Sequence, residues 1–583
     1  MTERGKDPET DPPASGRDDA PQKDAAVARD DAADVPRALD VGVVAVSIAV
    51  VIASALLVLS FGHGRDQSIY ALVAREMLDG KMPYRDAFDF KPPGIFCVYA
   101  LARVLFGDAI WGIRALEVAS MLGSAALLVR LAKRHVGSAR VGWVAAALAS
   151  QVHAQLDFWH TGQPETFGGT LTLAGLLLAS MAAEPSRPAR RRALLALASG
   201  AIFGVAGLMK PPLAGVGALI GVALAWQALR AKKQDGVRFD LRSAAVALGA
   251  VAVGGALPIA LTLAWFRAKG ALGDLHEVLF VFTPYYTKIS WENQSVLAMG
   301  YYGIAEWLTT YSSALLAGLV ALAVTRPSRR ELVPVLLVLG AIGIHITGIV
   351  MQAKFFPYHW GATFPLTAAL AALGFDKVLR FAWRHGRWVG AVAFFVVFGV
   401  VASAKVPVPS MGEAFLYRAR VRWQVATTAM SPADKTRAWD DLSTVAGVSA
   451  SQNREVGVWI KEHTEPTDPI FVWGFECAIY DFAERPLASR YIYDVPQRAV
   501  WSAAPMQAAL TRELDAKPPK IIVVEHGDVF PFVTGSNDDS AQALWHFPAL
   551  RDRLDSDYRL ETTIGSFDVY ARDDGESSGE ALR

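Results

Sequence analysis

Apolar residues fall in long blocks separated by short polar connections. This is the pattern of helices that cross a bilayer, which need about 17–25 apolar residues each. The blocks predict spans near 41–61, 113–132, 141–157, 166–183, 193–209, 212–229, 243–266, 307–325, 332–351, 361–379 and 388–404, eleven in all. The first, Val41 to Phe61, is too long and too late to be a signal-peptide core. Between the first two spans, Ile69, Leu72, Val73, Met77 and Leu78 recur near helical spacing, and Ile95 to Phe106 is apolar but too short to cross. Both stretches predict helices lying along the membrane surface, and the second long loop, 267–306, is read the same way.

After about residue 405 the texture changes. NREVGVWIKEHT predicts an amphipathic helix, PIFVWGF a buried strand and Glu476–Ala483 a helix. SRYIYDV reads with the strands, followed by a helix near 503–516, a strand in PKIIVVEHG and a hairpin in YRLETTIGSFDVYAR. Strands alternating with helices indicate a small α/β domain. The predicted organisation is a disordered tail (1–36), a helical transmembrane domain (37–404) with a long first loop (62–112), and an α/β domain (405–583) whose acidic ending frays.

Charge distribution orients the chain. RLAKRHVGSAR, RPARRR, RAKKQDGVRFDLR, RPSRR and RFAWRHGR fall at every second connection, and basic loops stay on the cytoplasmic side. Eleven spans then put the N-terminus in the cytoplasm and residues 405–583 outside, across a bacterial inner membrane. The totals say less. Lys+Arg 57 against Asp+Glu 56 in 583 residues excludes an obvious nucleic-acid binder, and the two cysteines, Cys97 and Cys477, exclude a disulfide scaffold or a Cys-rich zinc site.

Candidate chemistry collects at the outer ends of the spans. The first loop holds Asp66, Asp86, Asp89 and Lys91. A carboxylate there suits a general base and an ammonium suits a phosphate leaving group, although each aspartate taken alone reads more readily as a loop charge or turn residue. Lys91-Pro92-Pro93 forbids a helix through Lys91 and lets a new one start at Gly94. A second Lys-Pro-Pro begins at Lys210, which either binds phosphate or snorkels to the interface. Shorter outer turns offer Asp157, His160 and Glu165, and Lys354, Tyr358 and His359. No cofactor is assigned. These histidines and carboxylates leave room for a divalent metal, but no ligand spacing such as His-x-x-x-His supports one.

The stretches DQSIYALVAREM (66–77) and GKMPYRDAFDFKPPG (80–94), a lysine in a later outward turn, and PYHW before a Pro-containing span together resemble the bacterial GT-C membrane glycosyltransferases. More narrowly they resemble the protein-mannosyltransferase-like group of glycosyltransferase family 39, which includes the lipid A aminoarabinose transferases. The resemblance covers about 41–404 in topology and is most specific in 62–107. It implies Asp66 as the catalytic acidic residue and Lys91 as the lysine that contacts the lipid phosphate. Glu165 stands near a second acidic position, and Lys210, Lys354 and Tyr358 match later lysine and tyrosine positions. Gln67 after Asp66, and Asp89-Phe90 before the lysine, depart from the family pattern, so no metal-ligand set carries over.

The expected activity is inverting transfer of a sugar from a polyprenyl-phosphate-linked donor, within membrane lipid, to a hydroxyl on a glycan, lipid or protein. Asp66 is the expected base. Lys91, Lys210, Lys354, Tyr358, His359, Glu165, Asp86 and Asp89 are the expected substrate-binding residues. Two alternatives remain. A transporter or lipid flippase needs ionisable residues deep inside spans, where this chain shows chiefly Glu117; a non-catalytic envelope scaffold would use 405–583 as a binding module.

Overall fold

The structure is a computed structural model that describes residues 36–234, 240–292, 294–309, 313–390, 392, 409–444 and 449–573. The predicted disordered tail, nearly all of the predicted span 388–404, and the acidic ending lie outside the described residues.

Helices cover the other ten predicted spans: Arg37–Leu59, Trp111–His135, Ala139–Gln155, Pro164–Ala182, Ala189–Met209, Gly215–Gln234, Leu241–Ala268, Ser313–Thr325, Arg329–Gln352 and Phe364–His385. Among the described residues, six helices are long and apolar enough to cross a membrane: Arg37–Leu59, Trp111–His135, Ala189–Met209, Pro211–Arg230, Leu241–Ala268 and Arg329–Gln352. The chain is a multi-pass membrane protein. The predicted span 307–325 is divided between the end of Val296–Thr309 and the helix Ser313–Thr325.

Small residues let the helices touch. Gly200 and Gly204 face the backbone of Val251 and Gly255, and Gly254 faces Leu197, so Ala189–Met209 and Leu241–Ala268 pack backbone to backbone. Charge inside the bundle is paired. Arg140 bonds Asp40 (2.6 Å) and Asp376 (2.9 Å), tying three helices together.

The helix Arg65–Leu78 corrects the expectation of a surface helix. Ten of its residues are buried, because the C-terminal domain covers the side that the bundle leaves open. Gly94–Phe106 does keep an exposed apolar stripe of Leu101, Val104 and Leu105, as a helix lying in the interface requires.

The C-terminal domain is a four-stranded sheet: β1 Ile470–Trp473, β2 Ile521–Glu525, β3 Tyr558–Ile564 and β4 Phe567–Arg572, in the order β1-β2-β4-β3. β1 and β2 are parallel, with Ile470 opposite Ile521 and the helix Ala503–Ala516 lying in the connection between them. β2–β4 and β4–β3 are antiparallel. Ser489–Val495 is not a strand. Residues 489–494 are irregular and largely buried, a helix begins at Val495, and Tyr491 and Tyr493 face the first loop, with Tyr493 bonded to Asp89.

Candidate active site

The first long loop is built to hold Asp66 and Lys91. Gly64 N–H donates to the Gln67 amide oxygen at 3.0 Å, closing the start of Arg65–Leu78. The Gln67 amide nitrogen donates to the carbonyls of Phe158 (3.1 Å) and Thr161 (2.5 Å). Gln67 therefore fixes the helix start against the turn 157–163. Asp66, at the helix's second residue, faces the bundle.

The return segment is equally constrained. Tyr84 adopts φ +70°, an unusual value for a residue with a Cβ, and its buried ring stacks on Phe266 while its hydroxyl donates to the Lys91 carbonyl at 2.8 Å. Pro92-Pro93 ends this extended stretch and the next helix begins at Gly94. A Cβ on Gly94 would lie 2.6 Å from the Leu208 carbonyl oxygen, so only glycine permits this approach. That contact brings the first Lys-Pro-Pro beside the second, at Lys210.

The lysines and carboxylates meet where these segments converge. Lys91 Nζ lies 3.8 Å from Asp66 Oδ2 and donates to the Tyr358 hydroxyl at 3.4 Å. Gln163 Nε2 donates to Asp66 Oδ2 at 3.1 Å, and the Tyr70 hydroxyl donates to Gln163 Oε1 at 3.0 Å. Lys210 forms an ion pair with Glu165 at the start of Pro164–Ala182, whose second carboxylate oxygen has no hydrogen-bond partner among the described residues. The Tyr358 ring stands 5.3 Å from Lys91 Nζ and 6.0 Å from Lys210 Nζ, within reach of both ammonium groups. Asp66 and Lys91 retain 25% and 20% exposure, enough for a ligand to reach them.

The electrostatics follow from burial and charge. Burial pulls the Lys91 ammonium down, but Asp66 and Asp89 outweigh it and hold it above the ordinary lysine value. Burial lowers Lys210 despite Glu165, and the Lys91 charge adds to the lowering. Burial and the Asp66 charge push the Tyr358 hydroxyl well above its usual value, so it remains protonated. Burial lowers His160 to about 4, and burial with the Lys210 and Lys91 charges lowers His359 well below its ordinary value; both are neutral at pH 7.

The remaining predicted residues flank this cluster or lie outside it. Asp89 is 2% exposed, and its Oδ1 accepts from the Tyr493 hydroxyl of the C-terminal domain at 2.9 Å. Asp86 serves the turn, accepting the Met82 N–H at 2.7 Å and pairing with Arg85 at 2.8 Å. Lys354 lies apart from the other two lysines, donating to the Phe532 carbonyl at 2.6 Å, with its Nζ 4.0 Å from the Tyr286 ring centroid. His359 packs its ring against Tyr358 at 4.6 Å. Among the described residues, no group of three or more His, Cys, Asp or Glu could hold a metal ion.

Glu117, the charge inside a span, is structural. It accepts from Gly162 N–H and pairs with His153, both at 2.7 Å, and also pairs with Arg114. This network anchors the turn that presents Gln163 and Glu165. Sequence reasoning missed Gln163, Tyr70 and Tyr493. All three stand in stretches the sequence singled out, Tyr70 in DQSIYALVAREM, Tyr493 in SRYIYDV and Gln163 two residues before Glu165, but no sequence pattern assigned them a role.

Residues 90–254 match the family model described as dolichyl-phosphate-mannose-protein mannosyltransferase. No curated protein matches the sequence. Among solved structures, ArnT from Cupriavidus metallidurans bound to undecaprenyl phosphate is similar, with a TM-score of 0.52 and 14% identity over 92% of this chain and 98% of that one. The same protein in the apo state gives 0.51 and 15%, covering 91% and 98%. The archaeal oligosaccharyltransferase AglB from Archaeoglobus fulgidus gives 0.44 and 13%, covering 91% and 74%. The likeness to ArnT shows the fold of a GT-C membrane glycosyltransferase, and residues 90–254 are similar to the mannosyltransferase family. Within that class the fold is the ArnT-like one, as the motifs of the first loop imply.

Proposed function

We propose that the protein moves a sugar from a polyprenyl-phosphate-linked donor to an acceptor hydroxyl at the outer face of the inner membrane, with inversion at the anomeric carbon. One observation carries this reading: Lys91 Nζ reaches both the Asp66 carboxylate and the Tyr358 hydroxyl, and Lys210 Nζ lies 6.0 Å from the same Tyr358 ring. A phosphate entering here becomes the counter-ion of Lys91 and so releases Asp66 from it. The freed carboxylate takes the proton of the acceptor hydroxyl, and the oxygen attacks the anomeric carbon from the face opposite the phosphate. The bond between that carbon and the phosphate oxygen breaks, with its electron pair passing to the phosphate, which Lys91 and Lys210 stabilise. Undecaprenyl phosphate, bound in the similar ArnT structure, is the kind of lipid phosphate such a transfer would leave behind.

The test is sugar transfer in membranes from radiolabelled polyprenyl-phosphate-linked sugars. Asp66→Asn should lower the rate by about 10²–10⁴-fold, the range for loss of a general base. Lys91→Ala should also abolish transfer, with protein levels unchanged in both. Transfer unaffected by either substitution would remove this assignment.

A further inference from the structure

The cluster is poorly prepared for an anion if every group in it is ionised. Three carboxylates (Asp66, Asp89 and Glu165) face two ammonium groups (Lys91 and Lys210), and the nearby histidines are neutral. A phosphate arriving here adds negative charge beside these carboxylates and raises their affinity for a proton. Glu165 is held by Lys210, and Asp66 by Lys91 and the Gln163 amide. Among the described residues Asp89 has no ion pair within 4 Å: it is 2% exposed, Tyr493, the Phe90 N–H and the Lys91 charge favour its ionised form, and its buried Oδ2 has no side-chain hydrogen-bond partner.

Tyr493 belongs to the C-terminal domain. It lies in the buried segment after β1, 404 residues along the chain from Asp89, and its hydroxyl reaches the carboxylate at 2.9 Å. Phe88 N–H donates to the Arg490 carbonyl at 2.7 Å and holds the two segments in register. We propose that Asp89 is the proton-accepting carboxyl of the lipid-phosphate site. It takes up a proton from solvent as the anion arrives, and Tyr493 is the positioning residue by which the C-terminal domain sets the charge of that site.

This rests on reading the cluster as a phosphate site. The groups facing Asp89 are Lys91, Asp66, Tyr70 and Tyr84 from the first loop region, Tyr286 from the helix Thr283–Trp291, and Tyr493 and Cys477 from the C-terminal domain. Burial raises Asp89 to about 6, against Lys91 and Tyr493, so it is ionised in the empty site at neutral pH yet close to taking a proton. A further negative charge beside it completes the shift.

The experiment is calorimetric titration of the purified full-length protein with undecaprenyl phosphate, in buffers of different ionisation enthalpy, from pH 5.5 to 8.5. The wild type should take up more protons on binding at pH 7 than Asp89→Asn, which keeps only the uptake due to the phosphate itself. At pH 8 Asp89→Asn should bind up to about tenfold more tightly, the effect of about one pKa unit, with the difference closing near pH 5.5. Tyr493→Phe removes a bond that favours the ionised carboxylate, so its proton uptake should move to higher pH. Equal uptake by the wild type and Asp89→Asn overturns the proposal while leaving the phosphate site intact. Failure of the wild type to bind undecaprenyl phosphate overturns the lipid-phosphate reading and this proposal with it.

Discussion

At the scale of single residues, Asp89 carries a folding penalty that can be measured without any ligand. Its carboxyl is raised to about 6 in the folded protein, above the ordinary value of 3.8. The folded state therefore holds the proton more tightly than the unfolded state does. The corresponding stability is fully present below about pH 4, is lost as pH rises through about 6, and stays lost above that. Asp89→Asn should thus stabilise the protein at pH 7.5 by up to about 3 kcal/mol, and the gain should vanish below pH 4; melts in detergent across this range check it. Gln163 supports a second prediction. It links the Tyr70 hydroxyl to Asp66, and Gln163→Leu removes one hydrogen bond that orients Asp66, the proposed base. A bond of about 1–1.5 kcal/mol corresponds to about tenfold in the transfer rate, and undecaprenyl phosphate binding should be unchanged. Loss of binding instead would place Gln163 in the phosphate contact.

At the scale of elements, the helix Arg65–Leu78 is clamped at both ends by the C-terminal domain. Arg65 is buried between Glu476 (2.5 Å) and Glu525 (3.1 Å), and Arg75 pairs with Asp481 at 3.2 Å. The two ends are not equal. Removing Arg65 strands two buried carboxylates, so Arg65→Ala should cost about 3–5 kcal/mol and expose the domain contact to limited proteolysis. Arg75 is part-exposed, and Arg75→Ala should cost no more than about 1 kcal/mol. Comparable losses in the two variants would show that the clamp is not concentrated at Arg65. The same helix marks the limit of what the sequence discloses. Spans were legible because a bilayer demands apolar blocks of fixed length, and the motifs singled out Asp66 and Lys91, which the fold brings to 3.8 Å of each other. The burial of Arg65–Leu78 was not, because its cover lies 411 residues away from Arg65 at Glu476. Nor was SRYIYDV as an irregular segment. Its alternating apolar residues satisfy a strand pattern, yet they are used individually, with Tyr493 on Asp89 and Tyr491 against Phe88. Gln67 departs from the family's acidic pair for a local reason, since its amide bridges two loops and a carboxylate could not donate to those carbonyls.

At the scale of the whole molecule, the first loop and the C-terminal domain form one body at one end of the bundle, joined by Arg65, Arg75, Phe88 and Asp89. Asp157 adds a tie from another loop, pairing with Arg422 (2.5 Å) and Arg418 (3.4 Å) of the helix Pro409–Thr427. Whichever side of the membrane holds one must therefore hold the other. The basic connection at 183–192 lies one helix away, at the opposite end, and basic residues favour the cytoplasm. The orientation can be decided with two exposed serines, Ser556 of the C-terminal domain and Ser186 of the basic connection. In a Cys97→Ala background, where the remaining cysteine, Cys477, is buried, a membrane-impermeant maleimide added to spheroplasts should label Ser556→Cys at once. Ser186→Cys should be labelled only after the membrane is broken. The reverse pattern would place Lys91 and Asp66 in the cytoplasm, where nucleotide-linked sugars become the available donors, and the polyprenyl-phosphate reading would fail on topology alone. Labelling of both positions in intact spheroplasts would contradict the alternation of the helices itself, because Ser186 and the first loop are separated by an odd number of crossings in this fold.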